Sequence, residues 1–351
     1  MQRLKFLLFA AVLSLATSAG ARTVVDHMDR SVEVPDEIKS VAATNIFPLP
    51  SFLSLYLPEN KISGMHQVSM AAAKGGLLGK IRPEVLKADT AFMQGNALNI
   101  ESMIALRPDV VFVNAGDAAS LKMLENAGIP AVSFSVNKWN YDVLDTFEAW
   151  LTLIDQVFPG QIKLNDALAY ARRIESLVTE RTAAIPEEKR KRVLFLFQYD
   201  AKHIVTSGRN FFGEYWAAAC GAKNVATEIK AENSNAIVNM EQIYGWNPDV
   251  IFITNFTAAR PDDLFKNKFN NWTPVNAVRN HAVYKMPRGI NRTDTPSADS
   301  PLALLWAAKT MYPEAFADID FKGEVKKYYK TLFDIVLTDE DVESAYATDR
   351  K

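Results

Sequence analysis

Residues 99–113 read NIESMIALRPDVVFV, and residues 239–253 read NMEQIYGWNPDVIFI. The two segments align without a gap at a constant offset of 140 residues, and they share Asn, Glu, Pro, Asp, Val and Phe at matching positions. Each copy predicts an Asn-capped helical turn, a Pro-Asp break and a strand that is covered on both faces. A repeat of this kind predicts two α/β lobes with the same internal order.

Further strands are predicted around both copies, at 40–44, 61–65 and 131–135 in the first half and at 192–198 and 283–286 in the second. Helical patterns alternate with these strands, for example at 118–127 and 299–311. Alternation of this kind is typical of parallel sheets with helices on their faces. The predicted fold class is therefore α/β, with two Rossmann-like lobes of mainly parallel sheet.

One long helix is predicted between the lobes, because residues 161–184 contain no Gly or Pro. Its apolar stripe recurs at three and four residues and consists of Leu164, Leu168, Ala171, Ile174 and Val178. The predicted organisation is a signal peptide at 1–21, an N-terminal lobe at 22–158, a connecting helix at 159–190 and a C-terminal lobe at 191–351. Since a helical connector holds the lobes at a near-constant distance, we expect a ligand cleft where their strand carboxyl ends face each other.

Composition narrows the classes of protein that this chain can be. The chain has 351 residues, of which 48% are apolar and 23% are charged, so it can bury a sizeable core. Its 39 Lys and Arg against 41 Asp and Glu give a net charge of −2, which argues against nucleic-acid binding. The single cysteine, Cys220, excludes an internal disulfide framework, a thiolate zinc cage and an iron–sulfur cluster.

The N-terminus predicts export. Arg3 and Lys5 precede an apolar run at 6–17, and the small-residue sequence Ala-Gly-Ala at 19–21 follows it. The run is shorter than the roughly 20 apolar residues that a membrane span needs. We therefore expect a signal peptide cleaved after Ala21, which removes two cations and takes the net charge from −2 to −4. No cysteine near this position could carry a lipid, so the sequence predicts a periplasmic protein that is not a lipoprotein.

Residues 296–309 read PSADSPLALLWAAK. Together with the signal peptide, the two lobes and the single connecting helix, this segment resembles the class III periplasmic substrate-binding proteins of ABC importers. The resemblance covers residues 23–336. It implies a monomeric binding component, with no enzymatic activity and no cofactor, that delivers a small ligand to an inner-membrane permease dimer with its ATPase subunits. Ligands of the group are ferric siderophores, haem, cobalamin and, in some members, molybdate or tungstate.

The resemblance also assigns a role to Glu101 and Glu241, which occupy matching positions in the repeat. In such proteins a glutamate at the tip of each lobe docks onto arginines of the permease. Two exposed carboxylates on symmetric lobes suit a two-fold partner. The alternative is that each glutamate only complements the dipole of its own helix.

Candidate ligand contacts follow the predicted strands, and most of them are amides or charged groups. They are Asn45, His66, Asn96, Tyr199, Arg209, Asn255, Asn291, Arg292 and Asp294. The planar guanidinium of arginine suits carboxylates and oxyanions, so this set favours a small anionic ligand. Four histidines, none paired at helical spacing, make a metal cage improbable on this pattern, and no metal site is predicted.

Gly95 and Asn235 stand where cobalamin-binding members place aromatic residues, so the cleft is expected to offer mainly amides. Tyr199, Phe211 and Phe256 are the aromatic exceptions that the sequence allows in the cleft. A cleft of mainly amides favours a molybdate- or tungstate-like oxyanion first, a ferric siderophore or other iron chelate second, and haem or cobalamin last. No dinucleotide, P-loop, hydrolase or zincin motif occurs, so no catalytic residue is predicted. A periplasmic enzyme with an unconventional metal site and a ligand-sensing receptor partner are the alternative classes.

Overall fold

A computed structural model describes residues 20–229 and 234–347. Almost all of the predicted signal peptide lies outside the described residues, and Ala21 is the first residue of a strand. The N-terminal lobe contains β1 (Ala21–Val25), β2 (Ser31–Pro35), β3 (Val41–Ala43), α1 (Leu49–Tyr56), β4 (Ile62–Met65), α2 (Gln67–Lys74), α3 (Leu77–Ile81), β5 (Met93–Gln94), β6 (Ala97–Leu98), α4 (Ile100–Leu106), β7 (Val110–Asn114), α5 (Ala118–Asn126), β8 (Ala131–Phe134) and α6 (Val143–Val157).

The connecting helix is α7 (Leu164–Ala183). After it come β9 (Arg192–Tyr199), β10 (Ile204–Ser207), α8 (Phe212–Ala219), β11 (Lys223–Asn224), β12 (Asn235–Val238), α9 (Met240–Trp246), β13 (Val250–Ile253), α10 (Pro261–Phe265), α11 (Asn276–Arg279), β14 (Val283–Lys285), α12 (Ser300–Met311), α13 (Phe321–Phe333) and α14 (Asp339–Tyr346). The strands and helices predicted from the sequence are confirmed, with ends that differ by a few residues.

Each lobe is built on its own sheet, and the central strands of both sheets are parallel. In the N-terminal lobe the strand order is β4-β3-β7-β8, and all neighbours are parallel. In the C-terminal lobe the order is β12-β10-β9-β13-β14, with β9, β13 and β14 parallel and β10 and β12 antiparallel at one edge. The predicted α/β fold with two mainly parallel lobes is confirmed.

The repeated segment forms the same structure twice. The side chain of Asn99 accepts a hydrogen bond from the Ser102 amide at 3.0 Å and starts α4. The side chain of Asn239 does the same for α9, from the Gln242 amide at 3.0 Å. Both helices end in a left-handed residue just before the proline that prevents their continuation.

The aspartate of each Pro-Asp break anchors the sheet that follows. Asp109 accepts a hydrogen bond at 2.9 Å from the amide of Ser40, the residue before β3. Asp249 accepts one at 3.0 Å from the amide of Arg192, the first residue of β9. In both lobes the aspartate therefore ties the central strand to its neighbour at the amino end, and the carboxyl ends are left to loops.

The two lobes share one hydrophobic core. Its buried side chains include Phe112 from β7, Trp150 from α6, Phe195 from β9 and Tyr328 from α13. Helix α7 packs against both α6 and α12. Because the same apolar cluster runs through both sheets and the connecting helix, separating the lobes would expose buried apolar surface.

The C-terminal helices return to the N-terminal lobe. The hydroxyl groups of Tyr56 in α1 and Tyr328 in α13 lie 2.9 Å apart, and both are buried. Lys80 in α3 forms an ion pair at 2.5 Å with Asp341 in α14. Helices α13 and α14 therefore join the two lobes, in addition to α7.

Cys220 lies buried at the end of α8, and burial raises the pKa of its thiol. It behaves as a small apolar side chain, as its sequence context predicts. None of the helices in the described part of the chain has the length and apolar character needed to cross a membrane.

Candidate ligand-binding site

A crevice of about 460 Å³ lies between the lobes, beyond the carboxyl ends of β13 and β14. Its wall on the N-terminal lobe is formed by residues 75–77, and its wall on the C-terminal lobe by Asn255 and residues 285–289. Arg288 crosses the crevice, since its Nη1 donates a hydrogen bond to the Gly75 carbonyl. A larger cavity of about 700 Å³ lies at the far end of α7, near the amino end of β9. The crevice is the one at the ligand position expected for parallel sheets.

The loop after β14, residues 286–299, is held by a buried carboxylate. Asp299 accepts hydrogen bonds from the Ile290 amide at 2.9 Å and from the Ser297 hydroxyl at 2.6 Å, and Tyr346 of α14 donates a third. Gly289 has a φ of +56° and packs directly on Asp299. This network fixes the backbone of the loop that carries Arg292 and Asp294.

Arg292 is half-buried in this loop. Its guanidinium carbon lies 4.7 Å from the centre of the Phe256 ring, in cation–π contact. Within residues 20–229 and 234–347, no carboxylate lies within ion-pair distance of Arg292. Burial lowers the pKa of the guanidinium, the charge of Asp294 offsets part of this, and the nearby Arg288 lowers the pKa further. A partly dehydrated cation that forms no direct ion pair is suited to binding an anion.

Asp294 lies two residues further along and is only 1% exposed. Neither of its carboxylate oxygens has a hydrogen-bond partner among the described residues. Burial raises the pKa of this carboxyl to about 6, and the positive charge of Arg292 offsets part of the rise. The backbone amides of Asp294 and Asn255 also lower its pKa without reaching hydrogen-bonding geometry.

Lys285 adds a positive charge to the wall of the crevice, in addition to that of Arg288. Its ammonium group donates to the carbonyls of Thr254 and Thr257 at 2.7 Å and of Ala259 at 3.0 Å. The lysine thus holds the loop after β13 in place. The sequence pattern does not single out this lysine, because it ends strand β14, where a lysine has no motif around it.

A separate, smaller cavity of about 240 Å³ has an aromatic wall. Four phenylalanines line it, and they are Phe197, Phe211, Phe212 and Phe256. From the N-terminal lobe, the Tyr141 ring contacts those of Phe211 at 4.7 Å and Phe212 at 5.1 Å. Phe211 and Phe256 are two of the aromatic exceptions expected from the sequence, and Phe197 and Phe212 extend the wall, so that its four rings come from three parts of the chain.

The structure places the N-terminal candidates at the end of the N-terminal sheet. The Asn45 amide donates to Asp117 at 2.8 Å. Both ring nitrogens of His66 are engaged within the fold, one accepting from the Val68 amide at 3.0 Å and the other 2.9 Å from the Gly95 carbonyl. Asn96 is exposed in the turn between β5 and β6. These three side chains are not among the residues that line the crevice.

The C-terminal candidates divide into two groups. Asn255 lines the crevice, where its amide donates to the carbonyls of Met286 and Pro287 at 3.0 Å. Asn291 is buried in the same loop as Arg292 and Asp294, and none of these three residues lines the crevice itself. Tyr199 instead points into the core on the outer face of the sheet, where its hydroxyl accepts from Trp272 at 2.8 Å. Arg209 is exposed after β10.

The two helices of the repeat present equivalent surfaces. Glu101 and Glu241 are both exposed in the first turn of their helices, α4 and α9. Three residues later on each helix lies a large exposed apolar side chain, Ile104 at 52% and Tyr244 at 38%. One turn of each helix therefore combines a carboxylate with an apolar contact surface.

No group of three or more His, Cys, Asp and Glu side chains is arranged to hold a metal ion in the part of the chain that the structure describes.

Several known binding proteins are similar to this chain. MolA, a molybdate-binding protein of Haemophilus influenzae, is 27% identical over 94% of this chain and 97% of its own length. Its solved structure with molybdate shares the fold, with a TM-score of 0.76 at 23% identity over 90% of this chain and 99% of that one. The iron(3+)-hydroxamate-binding protein FhuD of Bacillus subtilis is 25% identical over 62% of this chain and 67% of its own length.

A periplasmic solute binding protein from Veillonella parvula has a crystal structure with a TM-score of 0.82, at 26% identity over 93% of this chain and 97% of that one. Residues 68–288 match the family described as periplasmic binding protein. These proteins bind substrates for transport, and neither they nor the fold is enzymatic. The chain therefore belongs to the periplasmic binding protein family, as a class III substrate-binding protein of an ABC importer.

Proposed function

We propose that this protein binds a tetrahedral oxyanion of the molybdate or tungstate type in the crevice between its lobes. The observation that carries the proposal is Arg292, a half-buried guanidinium with no ion-pair partner among the described residues. Arg292 does not itself line the crevice, but it lies in the same loop as Arg288 and Gly289, which do. Arg288 and Lys285 bring two positive charges to the crevice wall. MolA, whose name states molybdate binding, supports the same ligand class.

Isothermal titration calorimetry with sodium molybdate, sodium tungstate and sodium sulfate tests this proposal. We expect Arg292→Ala to weaken molybdate binding by about 10- to 100-fold, because a charge-assisted hydrogen bond is lost. Arg172→Ala is the matched control, since Arg172 lies on the exposed side of α7 and pairs with Glu148. An affinity that is the same in Arg292→Ala and wild type would remove Arg292 from the site.

A ferric chelate is the second candidate ligand. The phenylalanine wall beside Arg292 and the crevice volume favour a ligand larger than a single oxyanion, since aromatic rings gain most by covering apolar surface. FhuD, named for iron(3+)-hydroxamate binding, supports this alternative. Ferric citrate and a ferric hydroxamate belong in the same titration series, and tighter binding of either than of molybdate would favour the chelate.

The partner that we propose is the permease dimer of the importer, with its ATPase subunits. Glu101 and Glu241 would contact positive side chains of the two permease subunits, and Ile104 and Tyr244 would pack beside them. The support is the equivalence of the two helices in exposure and chemistry. We also propose that the protein acts as a monomer, without a lipid anchor, after cleavage of its signal peptide behind Ala21.

A further inference from the structure

We propose that the protein captures its oxyanion together with a proton, which the Asp294 carboxylate takes up from the solvent as the anion binds at Arg292. This inference rests on the proposed oxyanion binding and adds a second ion to it. The step is a simple protonation, in which a buffer acid or hydronium ion in the solvent loses a proton and a carboxylate oxygen of Asp294 forms the new O–H bond.

No hydrogen bond stabilises the negative charge of ionised Asp294 among the described residues. The carboxyl is buried, and none of the described residues donates a hydrogen bond to either oxygen. Buried carboxylates are normally held by several donors, as Asp299 is in the same loop. Ionised Asp294 therefore depends on charges that act over a longer distance.

Those charges come from three packed elements. Arg292 lies in the same loop and Lys285 in β14, and both favour the ionised carboxyl. The loop after β13 contributes the Asn255 backbone amide. From α8, the Trp216 indole reaches only the main-chain carbonyl of Asp294, at 3.0 Å. Arg292 is therefore the charge that most offsets the burial of Asp294, and it is also the proposed anion contact.

An anion at Arg292 changes this balance in two ways. It neutralises the positive charge that stabilises ionised Asp294, and it brings its own negative charge close to the carboxylate. The pKa of the carboxyl, about 6 without ligand, must then rise. At neutral pH the carboxyl is mostly ionised before binding and more often protonated afterwards, so binding takes up a proton.

The sign of the pH dependence follows. The protonated carboxyl does not repel the anion, so affinity increases as the pH falls towards 6 and becomes constant below it, where Asp294 is already protonated. Above pH 6, one coupled proton weakens binding by at most about tenfold for each pH unit.

The experiment is calorimetric titration with sodium molybdate at pH 7 in two buffers of different ionisation enthalpy, which gives the number of protons taken up. Titrations from pH 6.5 to 8.5 give the pH dependence of Kd. We expect proton uptake and weakening affinity with rising pH in the wild type. Asp294→Asn is expected to take up almost no proton, and its Kd is expected to be constant over this pH range.

Asp318→Asn is the matched control, because Asp318 is an exposed aspartate that pairs with Arg181 far from the crevice. It is expected to keep both the proton uptake and the pH dependence of the wild type. If Asp294→Asn does not fold, the wild type should gain the infrared C=O band of a protonated carboxyl on adding molybdate, and absence of this band would overturn the proposal.

The two proposals fail in different ways. Molybdate binding without proton uptake, or with the same uptake in Asp294→Asn, would overturn the role of Asp294 and leave the oxyanion proposal standing. No binding of molybdate or tungstate at any pH would overturn both.

Discussion

Gly289 illustrates how a single residue positions the binding loop. Its φ of +56° lies in the left-handed region, and a Cβ atom there would come within 2.3 Å of a carboxylate oxygen of Asp299 and 2.8 Å of the Thr293 methyl carbon. Asp299 cannot move away without losing its bonds to the Ile290 amide and to Ser297. The position therefore requires glycine for both backbone and space.

We expect Gly289→Ala to lower the free energy of unfolding by about 1–4 kcal/mol, because it combines backbone strain with overpacking. Urea denaturation measures this change. Gly245→Ala is the matched control, since a Cβ atom on Gly245 in α9 would meet no atom within 4 Å and alanine favours the helix. Equal stability of the two variants would contradict the role of Gly289.

At the scale of elements, the two short helices α4 and α9 carry the proposed contact with the permease. We expect the double variant Glu101→Arg and Glu241→Arg to abolish ligand uptake by cells, because like charges would then face each other at the interface. Its calorimetric affinity for the ligand should equal that of the wild type, since neither glutamate lines the crevice.

The control for this experiment is Glu59→Arg combined with Glu228→Arg. These two glutamates are exposed, one on each lobe, and lie outside the repeat helices. The control should support normal uptake. Normal uptake by the Glu101 and Glu241 variant would show that α4 and α9 do not contact the permease, whereas a loss of ligand affinity would place them in the binding site.

At the scale of the whole molecule, the shared core limits how far the lobes can move. Helix α7 lies in that core, and the contacts of Tyr56 with Tyr328 and of Lys80 with Asp341 join the lobes through the C-terminal helices. Each 100 Å² of apolar surface exposed by opening would cost about 2.5 kcal/mol. Small twisting or hinge motions are therefore expected on binding.

Small-angle X-ray scattering measures this expectation. The radius of gyration of the protein with saturating ligand should agree, within error, with that of the ligand-free protein. The variant Lys80→Ala removes one of the contacts between the lobes. Comparing its radius of gyration with that of the wild type shows whether scattering detects a looser arrangement of the lobes. A clear compaction of the wild type on binding would contradict this expectation, because it would mean that the lobes are further apart in the ligand-free protein.

The α/β architecture of two lobes and a connecting helix could be predicted from the sequence alone. The repeat at 99–113 and 239–253 placed a capped helix, an aspartate anchor and a central strand in each lobe, because these features depend on residues near one another in the chain. The sequence also identified Arg292 and Asp294 as candidates, since both stand in a polar loop directly after a strand.

The surroundings of the candidate residues are visible only in the tertiary structure. It turned Tyr199 into the core, engaged both nitrogens of His66 within the fold, and left Arg292 without an ion-pair partner and Asp294 without a hydrogen-bond partner among the described residues. It also brought Lys285 and the phenylalanine wall to the cleft. The physical reason is that burial and partnership depend on side chains far apart in the chain, which the sequence pattern does not encode locally.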